Sequence, residues 1–329
     1  MSVHMTAEVH HRAFRWRIGR VPAALGGLAL AIVSIAGSWG LFLPAQAALF
    51  KIVLTPISLA LVTLVLLKYL FNPGLIHEDL QHHVVSSVMP TLAMTLMVIG
   101  GNIYEWMPEL GRSIWIFAVA AHIVLFIGFV VYRCRDFHIN NMVPSWFVPP
   151  IGIVVACVSG SAMGFPELTA WLFTFGVAVY GVMLPIMFYR LIFHDRLPEA
   201  ANPTFGIMAA PASLTLAGYL TISADPNIFI VAALTPIAIL MTTMVWVALV
   251  KLLRQPFAPG FAAFTFPMVI SATALLKLEQ LLTGTLGNTL PSYPQACLYG
   301  MATLELAVAT GVVSYVGWCF FQHYVLKRR

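Results

Sequence analysis

Of the 329 residues, 60% are hydrophobic and only 9% are charged, and the mean hydropathy is +0.91. Soluble domains carry about a quarter charged residues, so this polar complement could not coat a soluble core. A soluble enzyme, a secreted disulfide scaffold and a disordered chain are excluded, which leaves a polytopic membrane protein with a net charge of +5.

In chain order, residues 1–20 form a polar, basic tail that holds His4, His10 and His11. It reads as solvated and cytoplasmic, with no short apolar region and small-residue cleavage site after it, so no cleavable signal is expected. Ten apolar stretches follow: Val21–Leu43, Ala47–Leu70, Val84–Tyr104, Ser113–Tyr132, Val143–Phe165, Leu168–Tyr189, Pro203–Ala224, Pro226–Val250, Phe257–Leu276 and Pro294–Leu326. Each approaches or exceeds the roughly 20 residues that an α-helix needs to cross the hydrocarbon, and none shows the ten-residue alternation of a barrel strand. Lys51 and Lys68 lie near the ends of the second stretch, where they can snorkel. The fold expected is an all-α integral membrane domain over 21–326, with 327–329 as a cytoplasmic C-terminus.

Placing the N-terminus inside puts all of the 17 lysines and arginines on the inner side except Lys51, Arg112 and Lys277. That bias predicts an even number of spans with both termini in the cytoplasm. The basic flanks then face anionic lipid, and nucleic-acid binding is not expected. Links on the outer side are short and those on the inner side longer, so the unit is a helical hairpin used five times.

The first helix of each hairpin carries a proline: Pro22, Pro90, Pro149, Pro211 and Pro267. They recur about every 60 residues, the mark of an internal repeat. Small residues follow them, as in PAALGGLALA and PASLTLAG, whereas the second helices are bulkier, as in SIWIFAVAAHIVLFIGFVVY. Small faces suit close packing or a lumen; large aliphatic faces suit lipid. Two readings compete for the prolines. One is that they merely kink membrane helices, as Pro56, Pro185 and Pro236 would in even spans. The other is that five broken helices with quasi-fivefold symmetry surround a central pore, since interrupted backbone at membrane depth must be buried in protein or face water.

These five helices hold almost no fixed charge, and Glu105 and Lys277 sit at their outer ends. A tight, ion-coupled site needs intramembrane carboxylates or polar ligands, so a weakly binding conduit is favoured. A neutral path accepts ions of either sign; helix-end dipoles or charges at the mouths must then select. Within FAAFTFPMVISATA, Phe264 and Phe266 are two residues apart and cannot share a helical face, so at most one points inward. Glu305, alone in the tenth span, is either a functional acid or a carboxylate bonded to a neighbouring helix or an oligomer contact.

His77, His82 and His83 in LIHEDLQHH match no defined zinc spacing and read as a solvated loop. His122 reads as a hydrogen-bonded interior histidine. The four cysteines show no paired motif, and there is no P-loop, dinucleotide fingerprint or nucleophile elbow. No metal or other cofactor is expected.

The strings PSWFVPPIGIVV, PTFGIMAAPASLTLAGYL and FAAFTFPMVISATA together resemble the tellurite-resistance/dicarboxylate transporter family, which includes bacterial TehA and the plant slow-type anion channels. The likeness extends over most of the chain. It implies a homotrimer of independent pores, each lined by the five odd helices with the even helices outside. It also implies a phenylalanine on the ninth span that occludes the pore. By motif position this is Phe266, with Phe264 as the secondary candidate. The expected function is an inner-membrane channel or facilitated exporter for chloride, nitrate and, within the same class, tellurite or sulfite. A proton-coupled carrier of C4-dicarboxylates such as malate is the alternative. A lipid-phosphate enzyme would need the loop at His77–His83 as its only acid–base cluster.

Overall fold

The computed structural model describes residues 12–286 and 292–326, so His4, His10, His11 and residues 327–329 lie outside the described residues. All regular structure among these is helical. The apolar helices are α1 (Leu25–Phe42), α2 (Pro44–Phe71), α3 (Val85–Tyr104), α4 (Pro108–Arg135), α5 (Pro144–Gly160), α6 (Pro166–Phe193), α7 (Glu199–Ile222), α8 (Ile228–Leu252), α9 (Pro259–Gly284) and α10 (Gln295–Leu326). Nine of them are long and apolar enough to cross a membrane, and α5 is shorter. The chain leaves α5 through a turn in which Gly164 has φ +83°, a left-handed conformation open to glycine but costly for other residues. That turn is why the stretch expected to run to Phe165 stops at Gly160.

Two segments are more ordered than their polarity suggests. Residues 12–19 are helical, and Phe14 packs edge-on against Phe71 with ring centroids 5.2 Å apart. The link after α2 contains the helix Gly74–Gln81, whose Asp79 accepts from Lys68 Nζ at 2.5 Å and from the Tyr69 hydroxyl at 2.9 Å.

Burial separates the helices into two layers. In α1, α3, α7 and α9 between 56% and 89% of the most apolar stretch is buried; in the even helices the range is 17–33%. Nearly all of α5 is buried as well. The inner helices pack in chain order, α1 on α3, α3 on α5, α5 on α7 and α7 on α9, and α9 closes the ring against α1. Each outer helix packs on its own hairpin partner and on the next inner helix. Most of the large exposed apolar side chains, such as Ile52, Phe117, Trp171, Phe229 and Trp318, lie on the even helices, which gives the molecule a lipid-compatible belt.

Inside a bilayer, lipid tails are as apolar as leucine, so close packing and hydrogen bonds hold helices together rather than removal of apolar surface from water. The ring uses both. A methyl group added at Gly26, Gly101, Gly206 or Gly218 would come within 2.6–2.8 Å of an atom on an adjacent inner helix. At the closing seam between α9 and α1, Gly27 lies against Ala262, and the hydroxyls of Ser38 and Thr273 are 2.7 Å apart.

The repeated prolines stand at breaks, and none lies in the middle of a regular helix. Pro22 precedes the α-helical part of α1, which begins at Leu25. Pro90 directly precedes the segment Thr91–Tyr104. Pro149 and Pro211 occupy the first turns of Val148–Ile151 and Ala210–Ile222. Pro267 is in the first turn of Thr265–Leu286, after a tighter 3-10 stretch, Pro259–Phe264. A proline in a helix interior costs about 3 kcal/mol, but in the first turn its missing N–H has no intrahelical partner to lose. The outer prolines Pro56, Pro185 and Pro236 do lie inside α-helices. The two proline sets are therefore in different positions, with interruption confined to the inner ring.

Candidate functional site

Two cavities meet at Phe266 of the inner ring, the first lined by all five inner helices and the second by α1, α3, α5 and α9 together with the start of α2. The first, of about 370 Å³, has Gly27, Met94, Ile151, Pro211 and Phe266 among its bordering residues. It sits toward the ends of these helices where Lys68, Asp79 and His82 also line it. This is the basic face of the molecule. The second, of about 360 Å³, lies toward the opposite face and is bordered by Ser38, Asn102, Ser159 and Thr273 with Lys51 and Lys277. Among the described residues, Phe266 alone borders both.

The start of α9 fixes the backbone beside this ring. Thr265 shares its hydroxyl between the carbonyls of Ala262, at 2.7 Å, and Gly27, at 3.3 Å. Pro267 follows and borders the first cavity. Phe266 is 7% exposed, whereas Phe264 is fully buried and borders neither cavity. Phe264 packs instead on Phe261, with ring centroids 5.2 Å apart, and against Gly206 of α7.

Of the repeated prolines, Pro22, Pro211 and Pro267 border the first cavity. Pro90 and Pro149 are buried and border neither. The Pro149 carbonyl is hydrogen-bonded to Nε2 of the buried His122 at 2.8 Å, which ties α5 to α4. This is the interior, bonded histidine that its apolar surroundings suggest.

Glu305 is buried on α10, away from both cavities, and accepts from the Ser271 hydroxyl of α9. Ser271 is in turn 2.8 Å from the Thr242 hydroxyl of α8. The carboxylate thus joins three helices behind the inner ring. Its partner could not be read from sequence, because nothing local pairs position 305 with 271.

The histidine loop is taken up by structural contacts. His77 bonds Tyr132 at 2.6 Å and Gln81 at 2.8 Å, and His82 Nδ1 accepts from the backbone N–H groups of Val84 and Val85. His83 meets Arg133 and lies 3.4 Å from Asp136. Partial burial and the nearby guanidinium hold its pKa below the usual 6.5. Among the described residues no group of three or more His, Cys, Asp or Glu side chains could hold a metal ion.

Sequence reasoning missed the lining of the second cavity. Ser34, Thr273 and Lys277 all border it. The signal was present on α9: positions 266, 270, 273 and 277 follow helical spacing and mark one face.

The arrangement is two cavities that share the Phe266 side chain, with the Lys68–Asp79 pair at the first and the Lys51–Glu105 pair and Lys277 at the second. Relatives agree with a transport role. A 26% identical stretch of 233 residues, 62% of this chain and 67% of the relative, matches the uncharacterized transporter MJ0762 of Methanocaldococcus jannaschii. The S-type anion channel SLAH2 of Arabidopsis thaliana is 25% identical over 89% of this chain, which spans 58% of that longer protein. Residues 13–321 match the family model described as SLAC1, voltage-dependent anion channel. The chain belongs to this family of membrane channels and transporters.

Proposed function

We propose that this protein is a channel for small anions such as chloride and nitrate, tellurite and sulfite being oxyanions of the same class, and that Phe266 closes its path. The observation that carries this reading is that Phe266 borders both cavities. A phenyl ring blocks a narrow apolar passage by volume and by excluding water. It can swing aside about two side-chain torsions while the helices stay in place. Phe264, packed against Gly206 and Phe261, is then part of the wall that supports the ring.

Charge supports anions over cations. The α-helical parts of the inner helices begin beside the first cavity, and helix N-termini carry partial positive charge. Positive-inside bias orients the basic face toward the cytoplasm of an inner membrane. We take the functional unit to be a homotrimer, as the resemblance implies.

The alternative, a proton-coupled dicarboxylate carrier, needs a carboxylate free to take up a proton in the path. Asp79 at the first cavity is held by Lys68 and Tyr69, and Glu105 at the second is paired with Lys51. The test is anion flux into liposomes holding the wild-type protein or Phe266→Ala. The variant is expected to pass chloride and nitrate at least about tenfold faster, a barrier change of roughly 1.4 kcal/mol. Malate uptake that needs an imposed pH gradient, with no rise in chloride flux, would replace the channel reading by the carrier.

A further inference from the structure

We propose that the second cavity is a resting site for one monovalent anion, held by the Lys277 ammonium on the side of Phe266 opposite the basic face. This rests on the anion-channel reading and adds to it the position, charge and sidedness of the bound ion.

Phe266, Ile270, Thr273 and Lys277 share one face of α9, and all four border the second cavity. The helix that presents the ring at one end of this space therefore presents an ammonium about 16 Å further along its axis. Two other charges border the same space, Lys51 and Glu105, and they are paired with each other. Lys277 is half-buried and has no hydrogen-bond or ion-pair partner among the described residues. Ser34 also borders this cavity, and its hydroxyl has no partner among the described residues. An ammonium carries three donors and no acceptor, and removing it from water without a partner is costly. An anion in the cavity supplies the missing acceptor.

The charges decide which class of anion. Lys51 and Glu105 cancel, so among the described residues the net fixed charge facing the cavity is that of Lys277. One chloride or nitrate neutralises it. A dicarboxylate would bring a second negative charge into a 360 Å³ space where the other cation, Lys51, is already paired with Glu105. The first cavity offers no equivalent, because its Lys68 is engaged by Asp79 at 2.5 Å. With the ring closed, the two sides are therefore unequal, and the ion waits on the side opposite the basic face.

Binding is read without permeation by the unfolding temperature of the purified protein in detergent. Chloride and nitrate are expected to raise it for wild type and for Lys277→Arg, with the shift lost in Lys277→Gln. Equal shifts in wild type and Lys277→Gln overturn the site, and a larger shift with malate than with chloride overturns its monovalent character. In the Phe266→Ala background, adding Lys277→Gln is expected to raise the half-saturating chloride concentration at least about fivefold from the face opposite the basic one. An unchanged half-saturation, with current still flowing, also overturns it. If Phe266→Ala passes no current, the channel reading fails by itself and the thermal shifts still decide the site.

Discussion

Truncating the two phenylalanines at the start of α9 should give opposite results in two assays. Phe264 is fully buried, with its ring 5.2 Å from Phe261 and its edge 2.7 Å from where a Cβ on Gly206 would lie. Phe264→Ala removes a ring packed on all sides, a change that costs about 3–5 kcal/mol in a close-packed core. Phe266 has open space on two sides, so fewer of its atoms have close neighbours to lose. Its truncation should cost about half as much, because lost packing scales with contacts forfeited. The same substitution joins spaces of 370 and 360 Å³ into one passage. Thermal unfolding followed by size-exclusion chromatography reads the first effect, and chloride current in planar bilayers reads the second. Phe264→Ala should lower the midpoint more and leave current near the wild-type level; Phe266→Ala should do the reverse. A current increase with Phe264→Ala but not with Phe266→Ala would refute both the assignment and the packing argument behind it.

Three further outcomes follow from the same geometry. A Cβ at Gly101 would lie 2.6 Å from the Ser159 carbonyl oxygen, so Gly101→Ala should cost about 1–3 kcal/mol by forcing α3 from α5; Gly37→Ala, with nothing within 4 Å, should leave the thermal midpoint unchanged. Glu305→Gln should keep anion selectivity and its pH dependence, since the side chain borders neither cavity, while weakening the bond to Ser271 by roughly 1–2 kcal/mol in thermal unfolding. The folded state holds the His83 pKa below 6.5, so the unfolded chain binds the extra proton first. Stability from this group should be intact above pH 6.5 and decline as pH falls below it, and His83→Gln should flatten that part of the pH–midpoint curve.

Much of the architecture was legible because the bilayer enforces it. Every span must satisfy its own backbone, so composition alone marks helices, and the contrast between PASLTLAG and SIWIFAVAAHIVLFIGFVVY separates ring from belt. The ends were less legible. Residues 12–19 and 74–81 form helices held by contacts to the end of α2, Phe14 on Phe71 and Asp79 on Lys68, which their own composition does not show. The prolines were legible as interruptions but not as helix starts. That distinction depends on whether the preceding turn is α-helical, and the 3-10 stretch Pro259–Phe264 has no distinctive composition. The Glu305–Ser271–Thr242 chain was hidden for the same reason: it joins three helices whose relative rotation no single-chain pattern encodes.

If Phe266 is the gate, putting the interruptions in the inner ring also explains how one side chain can close it. At four of the five inner seams a glycine leaves room for a close approach from the next helix, and the fifth is tied by Ser38, Thr273 and Thr265. Close seams keep the enclosed space narrow enough for a single ring to fill. They also resist separation, since moving one inner helix breaks packing with two inner neighbours and with the outer helix seated between them. Opening by helix displacement would break those contacts together, whereas rotation of Phe266 breaks only its own. On the channel reading, stability and gating therefore fall to different parts of α9: Thr265, Ser271 and Thr273 anchor it to its neighbours, and the ring at 266 is left free to move.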